Sequence, residues 1–219
     1  MLAASLITAT YPNVHLKDKA GYVLQLMEEY DVQHLPVITD DKFIGMVNKD
    51  DVLDIDEKTM VAAIEMQLIK SSILPDQHFT QVLKIAAEKE LSIIPVVNAH
   101  QELTGVIKSS DVLKATANYL GTDEPGGLLV LEMEKRNYSF GELTRLIETN
   151  DAYITQFNTA MEPSTGLLLV AIKINKIEIS DILATFQRYE YVIRYYFGEE
   201  TYENELKNNY DLLMNYLSI

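Results

Sequence analysis

The stretch HLPVITDDKFIGMVNKDDVL, which begins at His34, is written again as IIPVVNAHQELTGVIKSSDVL from Ile93. Pro36 stands 9 residues before Gly45, and Gly45 stands 6 before Asp51; Pro95 stands 10 before Gly105, and Gly105 stands 6 before Asp111. A shift of 59 residues also lays Val14 on Ile73, Val23 on Val82, Leu24 on Leu83, Met27 on Ala86 and Val32 on Leu91. A duplicated unit therefore fills the first half of the chain, and the fold must be one that two copies of the same supersecondary piece can build.

Each copy reads as helix, strand, turn, strand, helix. Ala20, Val23, Leu24 and Met27 recur at spacings of three and four, predicting a helix with Asp18 as its N-cap, and Asp76 takes the same part for the helix of Val82, Leu83 and Ala86. HLPVI is a short apolar strand, TDDK a polar turn and FIGMV a return strand. Gly45 and Gly105 fall inside the return strands, where a missing side chain marks a close backbone or ligand approach. A second helix begins at Asp50 and Asp51 in one copy and at Ser109 to Asp111 in the other, where acids and hydroxyls satisfy free N–H groups.

A Pro-Val strand, a Gly in the return strand and an Asp six residues later resemble the CBS domain, and residues 1–60 and 61–120 read as a tandem pair, a Bateman module. One copy alone leaves an apolar sheet face uncovered, which a second copy buries around a pseudo-twofold axis. The resemblance implies a cleft between the copies that in many relatives holds an adenosine-type ligand. On it, Asp51 and Asp111 take the place of the carboxylate that accepts hydrogen bonds from ribose hydroxyls. Three residues earlier, where the family usually has a phosphate-contacting Ser or Thr, this chain has Asn48 and Lys108; either Lys108 is expected to supply that contact as a cation, with Ser109 beside it, or Asp51 and Asp111 only cap their helices in a pair without a ligand.

After YLGTDEPGG, with residues 121–126 as linker, the pattern changes. Residues 127–198 read in the order βαββαβ: GLLVLEME, SFGELTRLIETN, AYITQFNTA, GLLLVAIKI, EISDILATFQR and YEYVIRYYF. That order is ferredoxin-like, an antiparallel sheet with helices on one face. The fold class is thus α+β throughout. Following a CBS pair, the segment is similar to an ACT domain, as in bacterial acetoin-utilisation-type proteins; YSFGEL keeps the Gly141 and Leu143 of the Asp-x-x-Gly-x-Leu pattern but has Tyr138 for its Asp. Residues 199–219 carry Tyr202, Leu206, Tyr210, Leu213 and Leu217 at helical spacing, predicting an amphipathic helix that serves dimer contact or packing on its own domain.

The formal charge of -15 is spread over both halves, 17 acids against 10 Lys and Arg in residues 1–120 and 16 against 8 beyond, so neither offers the basic face a nucleic acid needs. With no cysteine there is no disulfide, thiol nucleophile or thiolate metal site. No run approaches the roughly 18 apolar residues of a membrane helix, and a basic leader is missing from MLAASLITATYPNVHL, so a cytoplasmic location is expected. All four arginines, Arg136, Arg145, Arg188 and Arg194, fall in the second half and are expected to pair with nearby acids. His15, His34, His78 and His100 show no ligand spacing and are expected to be exposed or capping, so no metal is expected.

No nucleophile elbow, Walker loop or Rossmann fingerprint is present, and Asp40 with Asp41 reads as a turn rather than a paired acid and base. The expectation is a non-catalytic regulatory homodimer that senses AMP, ADP, ATP or S-adenosylmethionine. The alternative is a constitutive dimeric scaffold or interaction subunit whose two sites are vestigial.

Overall fold

The computed structural model describes residues 1–198; the amphipathic segment 199–219 lies outside the described residues. The chain divides into two compact units, Met1–Thr116 and Ala117 onward.

In the first unit, copy one comprises β1 (Val14–His15), α1 (Ala20–Glu29), β2 (His34–Thr39), β3 (Lys42–Asn48) and α2 (Lys49–Leu53). Copy two comprises α3 (Phe79–Lys89), β4 (Ile93–Val97), β5 (Leu103–Lys108) and α4 (Ser109–Tyr119). The duplication is visible in the pairing: Val14 lies parallel to Val37 and Ile73 parallel to Val96, each residue displaced by the same 59 positions. Each hairpin carries a bulge, after Val37 and after Val96, beside the glycine that pairs with that valine.

The copies differ at the turn. Asp40 and Asp41 both adopt positive φ, +50° and +64°, making a two-residue hairpin loop that short polar side chains tolerate. In copy two the Asn98 side chain accepts hydrogen bonds from the His100 and Glu102 N–H groups, closing a turn one residue longer. That residue accounts for the spacing of 10 where copy one has 9.

The segment leading into each copy is exchanged, each through a single bridge. Thr8 pairs with Val106 of copy two, and Ile69 pairs with Met46 of copy one. Gly45 and Gly105 make this exchange fit, because a Cβ on Gly45 would stand 2.7 Å from the Leu68 Cβ, and one on Gly105 would stand 2.6 Å from Ile7 Cγ2 and 2.7 Å from the Thr8 carbonyl oxygen. The close approach expected at these glycines is therefore made by the chain itself. Burial follows the same logic: Ile93, Val97 and Val106 of copy two join the core around Val37 and Met46, while Ala3 joins the core around Val82 and Ile94.

Two capping expectations fail. Lys19 and His78 hold the N-cap positions of α1 and α3, with no side-chain cap bond. Asp18 instead accepts from the His15 N–H at 2.7 Å, an Asx-type contact that closes the turn before the helix.

In the second unit, β6 (Gly127–Met133), α5 (Phe140–Glu148), β7 (Ile154–Met161), β8 (Leu168–Ile174), α6 (Ser180–Arg188) and β9 (Val192–Phe197) follow the predicted order. The strands lie β7-β8-β6-β9, all neighbours antiparallel, which is the ferredoxin-like arrangement. Leu129, Leu131, Val170 and Ile172 point to the face covered by α5 and α6, where Leu143, Leu146, Ile182 and Phe186 complete the core. Tyr119 at the end of α4 and Gly121 in the expected linker are tied to this sheet: the Gln156 side chain donates to the Tyr119 carbonyl, and the Lys173 ammonium donates to the Gly121 carbonyl.

Candidate functional site

The turn from each return strand into its following helix carries the residues singled out by the repeat. Asn48 is the N-cap of α2, its side-chain oxygen accepting from the Asp50 N–H at 3.2 Å, and Asp51 occupies the first turn. At the equivalent place Lys108 ends β5, Ser109 begins α4, and Asp111 lies in its first turn. These are two separate clusters, one at the head of each helix.

Their side chains are differently engaged. The Ser109 hydroxyl donates to the Leu91 carbonyl, and Asp111 faces Lys114 at 3.5 Å one helical turn on. Lys108 is placed otherwise: its ammonium stands 5.8 Å from the centre of the Tyr11 ring, a cation–π contact. Tyr11 in turn packs edge-on against Tyr30, with ring centres 5.5 Å apart. The Tyr11 hydroxyl is buried without a hydrogen-bond partner among the described residues, and burial pushes its pKa up to about 12, so it stays protonated.

Tyr11 also lines a cavity of about 370 Å³ between the copies, with Ala9, Asn13, Ile38 and Asp41 from one side and Glu102, Leu103 and Gly105 from the other. Pockets of 300–1,000 Å³ hold small organic ligands. None of the five residues taken from the repeat forms its wall; Lys108 touches it through Tyr11. The sequence reading missed Tyr11 and Asn13 because the segment before β1 has no periodicity and no counterpart motif in the second copy, and it took Asp41 only as a turn residue and passed over Glu102 because both lie in the polar turns of the hairpins.

The second unit contains a larger cavity, about 620 Å³, at the end of β6 and the starts of α5 and β9, walled by Glu132, Glu134, Glu142 and Glu190 together with Tyr189 and Tyr191. Burial, and then Glu142, raise the Tyr191 hydroxyl pKa above its usual value. Arg136 pairs with Glu134 at 2.7 Å, and Arg194 reaches Glu162 at 2.6 Å and Glu132 at 3.4 Å, whereas Arg145 and Arg188 stack on Tyr189. Among the described residues Arg136 and Arg194 thus pair with acids as expected, and Arg145 and Arg188 instead meet an aromatic ring. Gly141 has open space where a Cβ would stand, so its lack of a side chain relieves no crowding.

The expectation of exposed or capping histidines fails at His34, which is 5% exposed and bonded across to Ser92 of the other copy. Among the described residues no three His, Asp or Glu side chains converge on a metal-sized site, and no helix is long and apolar enough to cross a membrane.

A family model for the CBS domain matches residues 3–58 and 68–118. The chain is 25% identical over 132 residues, 60% of its length, to inosine-5'-monophosphate dehydrogenase of Methanocaldococcus jannaschii. It is 28% identical over 129 residues, 58% of its length, to the protein of that name from Korarchaeum cryptofilum. It spans 27% of the length of each. Among solved structures it resembles a CBS domain pair/ACT domain protein from Thermotoga maritima, with a TM-score of 0.50 and 24% identity over 55% of this chain and 99% of that one. Two matched segments, each a hairpin flanked by helices with the Pro, Gly and Asp of the repeat in register, make the first unit a tandem pair of CBS domains.

Proposed function

We propose that this protein is a non-catalytic regulator that takes an adenosine-containing ligand into the cleft between its two CBS copies. The observation that carries the reading is the cavity of about 370 Å³ walled by both copies, with Lys108 standing over the Tyr11 ring beside it. A purine base has an aromatic face that Tyr11 can meet, Lys108 offers a cation to a phosphate, and Asp111, three residues on from Lys108 and outside the cavity wall, is the acceptor proposed for ribose hydroxyls that reach beyond it. A ligand that touches both copies binds one relative orientation of them best, and that difference in affinity is the signal. The ACT-like second unit and homodimerisation belong to the same reading as the route by which the signal leaves the CBS pair.

The wall also bears Asp41 and Glu102, one from each copy. Two carboxylates against one lysine disfavour a triphosphate, which ranks AMP and S-adenosylmethionine above ADP and ATP.

The test is calorimetric titration of the full chain with these four ligands, alongside thermal unfolding. A ligand at 100 times its dissociation constant stabilises by about 2.7 kcal/mol. Lys108→Ala is expected to weaken AMP at least tenfold, the equivalent of a charge-assisted hydrogen bond of about 1.5–3 kcal/mol, while weakening S-adenosylmethionine less. No heat and no stabilisation with any of the four overturns the reading in favour of a constitutive scaffold.

A further inference from the structure

The repeat is broken at one buried position that can carry a proton. His34 opens β2, and Ile93, 59 residues on, opens β4; both are buried, but only His34 is ionisable. The His34 ring reaches across to copy two, its Nδ1 lying 3.2 Å from the Ser92 amide nitrogen and 3.2 Å from the Ser92 hydroxyl. That hydroxyl also accepts from the Gln33 N–H at 3.1 Å. An amide N–H can only donate, so Nδ1 is the acceptor, and this hydrogen-bond network assigns the neutral tautomer with its proton on Nε2.

The surroundings oppose one another. Asn48, opposite His34 on β3, and Ser92 are uncharged, and the charged groups acting on the ring are Asp50 and Asp51 in the first turn of α2. The start of α2 is held close by the Lys49 N–H, which donates to the Gln33 carbonyl at 2.8 Å. Burial lowers the His34 pKa below its ordinary value, and the two carboxylates pull it back up.

We propose that His34 and Ser92 form a proton-sensitive latch between the two CBS copies, closed while the imidazole is neutral and released when Nδ1 takes a proton. A protonated Nδ1 meets the Ser92 N–H donor to donor. The hydroxyl can turn its lone pairs to the new N–H, but the amide cannot, so a cross-copy bond is lost and the imidazolium is attracted to Asp50 and Asp51 instead. With the folded value below the unfolded one, the stabilisation is present above the ordinary imidazole value of about 6.5 and is lost as pH falls below that value and through the lower folded one. The latch rests on contacts within the pair and holds whether or not the cleft takes a ligand.

The experiment is a nuclear magnetic resonance titration of the full chain from pH 8 to pH 5, following the His34 ring protons and the Ser92 amide. The expected result is a His34 midpoint below about 6.5, with the Ser92 amide shifting along the same curve. In His34→Gln, which keeps an acceptor and cannot be charged, the Ser92 amide should stay constant over that range, and the fall in unfolding temperature between neutral and mildly acidic pH should shrink. A His34 midpoint at or above the free-imidazole value, or a Ser92 amide that ignores it, overturns the proposal. Both deciding signals come from the unaltered chain, so the outcome does not depend on a variant folding.

Discussion

Gly105→Ala tests the exchanged segments that bridge the two CBS copies. At φ +151° Gly105 occupies backbone space that side-chain-bearing residues avoid, and an added Cβ would lie 2.6 Å from Ile7 Cγ2, 2.7 Å from the Thr8 carbonyl oxygen and 3.1 Å from the Ala9 Cα. Two of those three neighbours are backbone, so relief requires the segment 7–9 to move off β5. Backbone strain of about 1–3 kcal/mol adds to overpacking of about 1–3 kcal/mol, a combined loss of roughly 2–6 kcal/mol against a typical domain stability of about 5–15 kcal/mol. Gly141→Ala is the control: nothing lies within 4 Å of its Cβ position in α5, and it should gain about 0.5–1 kcal/mol. Because the chain has two units and no tryptophan, urea unfolding is best followed by resonance intensities, with Val106 reporting on the first unit and Ile172 on the second. Gly105→Ala should lower the Val106 midpoint and leave that of Ile172 in place, and should speed exchange of the Thr8 amide, which donates to the Val106 carbonyl at 2.8 Å. An unchanged Val106 midpoint with a protected Thr8 amide would refute the account of the glycine.

Phe186→Ala empties the centre of the second unit's core, where Phe186 is fully buried, and should cost that unit about 3–5 kcal/mol in the same urea assay. Asp41→Gly relieves a left-handed residue in the β2–β3 turn and should stabilise the first unit by about 1 kcal/mol; by removing a carboxylate from the cleft it should also tighten AMP in calorimetry. Arg194 holds the Glu162 carboxyl below its usual value, so the pair stabilises the folded chain above the ordinary carboxylate range, and this is lost as pH falls through the folded value. In Arg194→Met the acid limb of the second unit's stability profile should therefore be shallower.

The division between what the sequence reveals and what it hides follows the range of the interactions involved. Alternation and helical spacing depend on neighbours a few residues away, so the hairpins, the helices and the βαββαβ order are legible, while the pairing of Ile73 with Val96, at the place where Val14 meets Val37, shows only in the structure. Thr8 and Ile69 are different: each makes a single bridge in the other copy's sheet, so their segments have no period to read, and only Gly45 and Gly105 betray them. The glycines mark where something comes close, but a lone glycine does not say whether it is backbone or ligand.

The same limit applies to the site. Equivalence within the repeat assigns Asp51 and Asp111 the same role, and both do occupy the first turn of their helix. The cleft, however, is built where the copies meet, and there they are not equivalent: Tyr11, Asp41 and Glu102 enter its wall, and His34 faces Ser92 where strict duplication would have put isoleucine. Two identical halves could hold a ligand or a proton equally well on either side. Departures from the repeat are what give one side a preference, so a device that responds to a signal must be sought in the positions where the second copy fails to match the first.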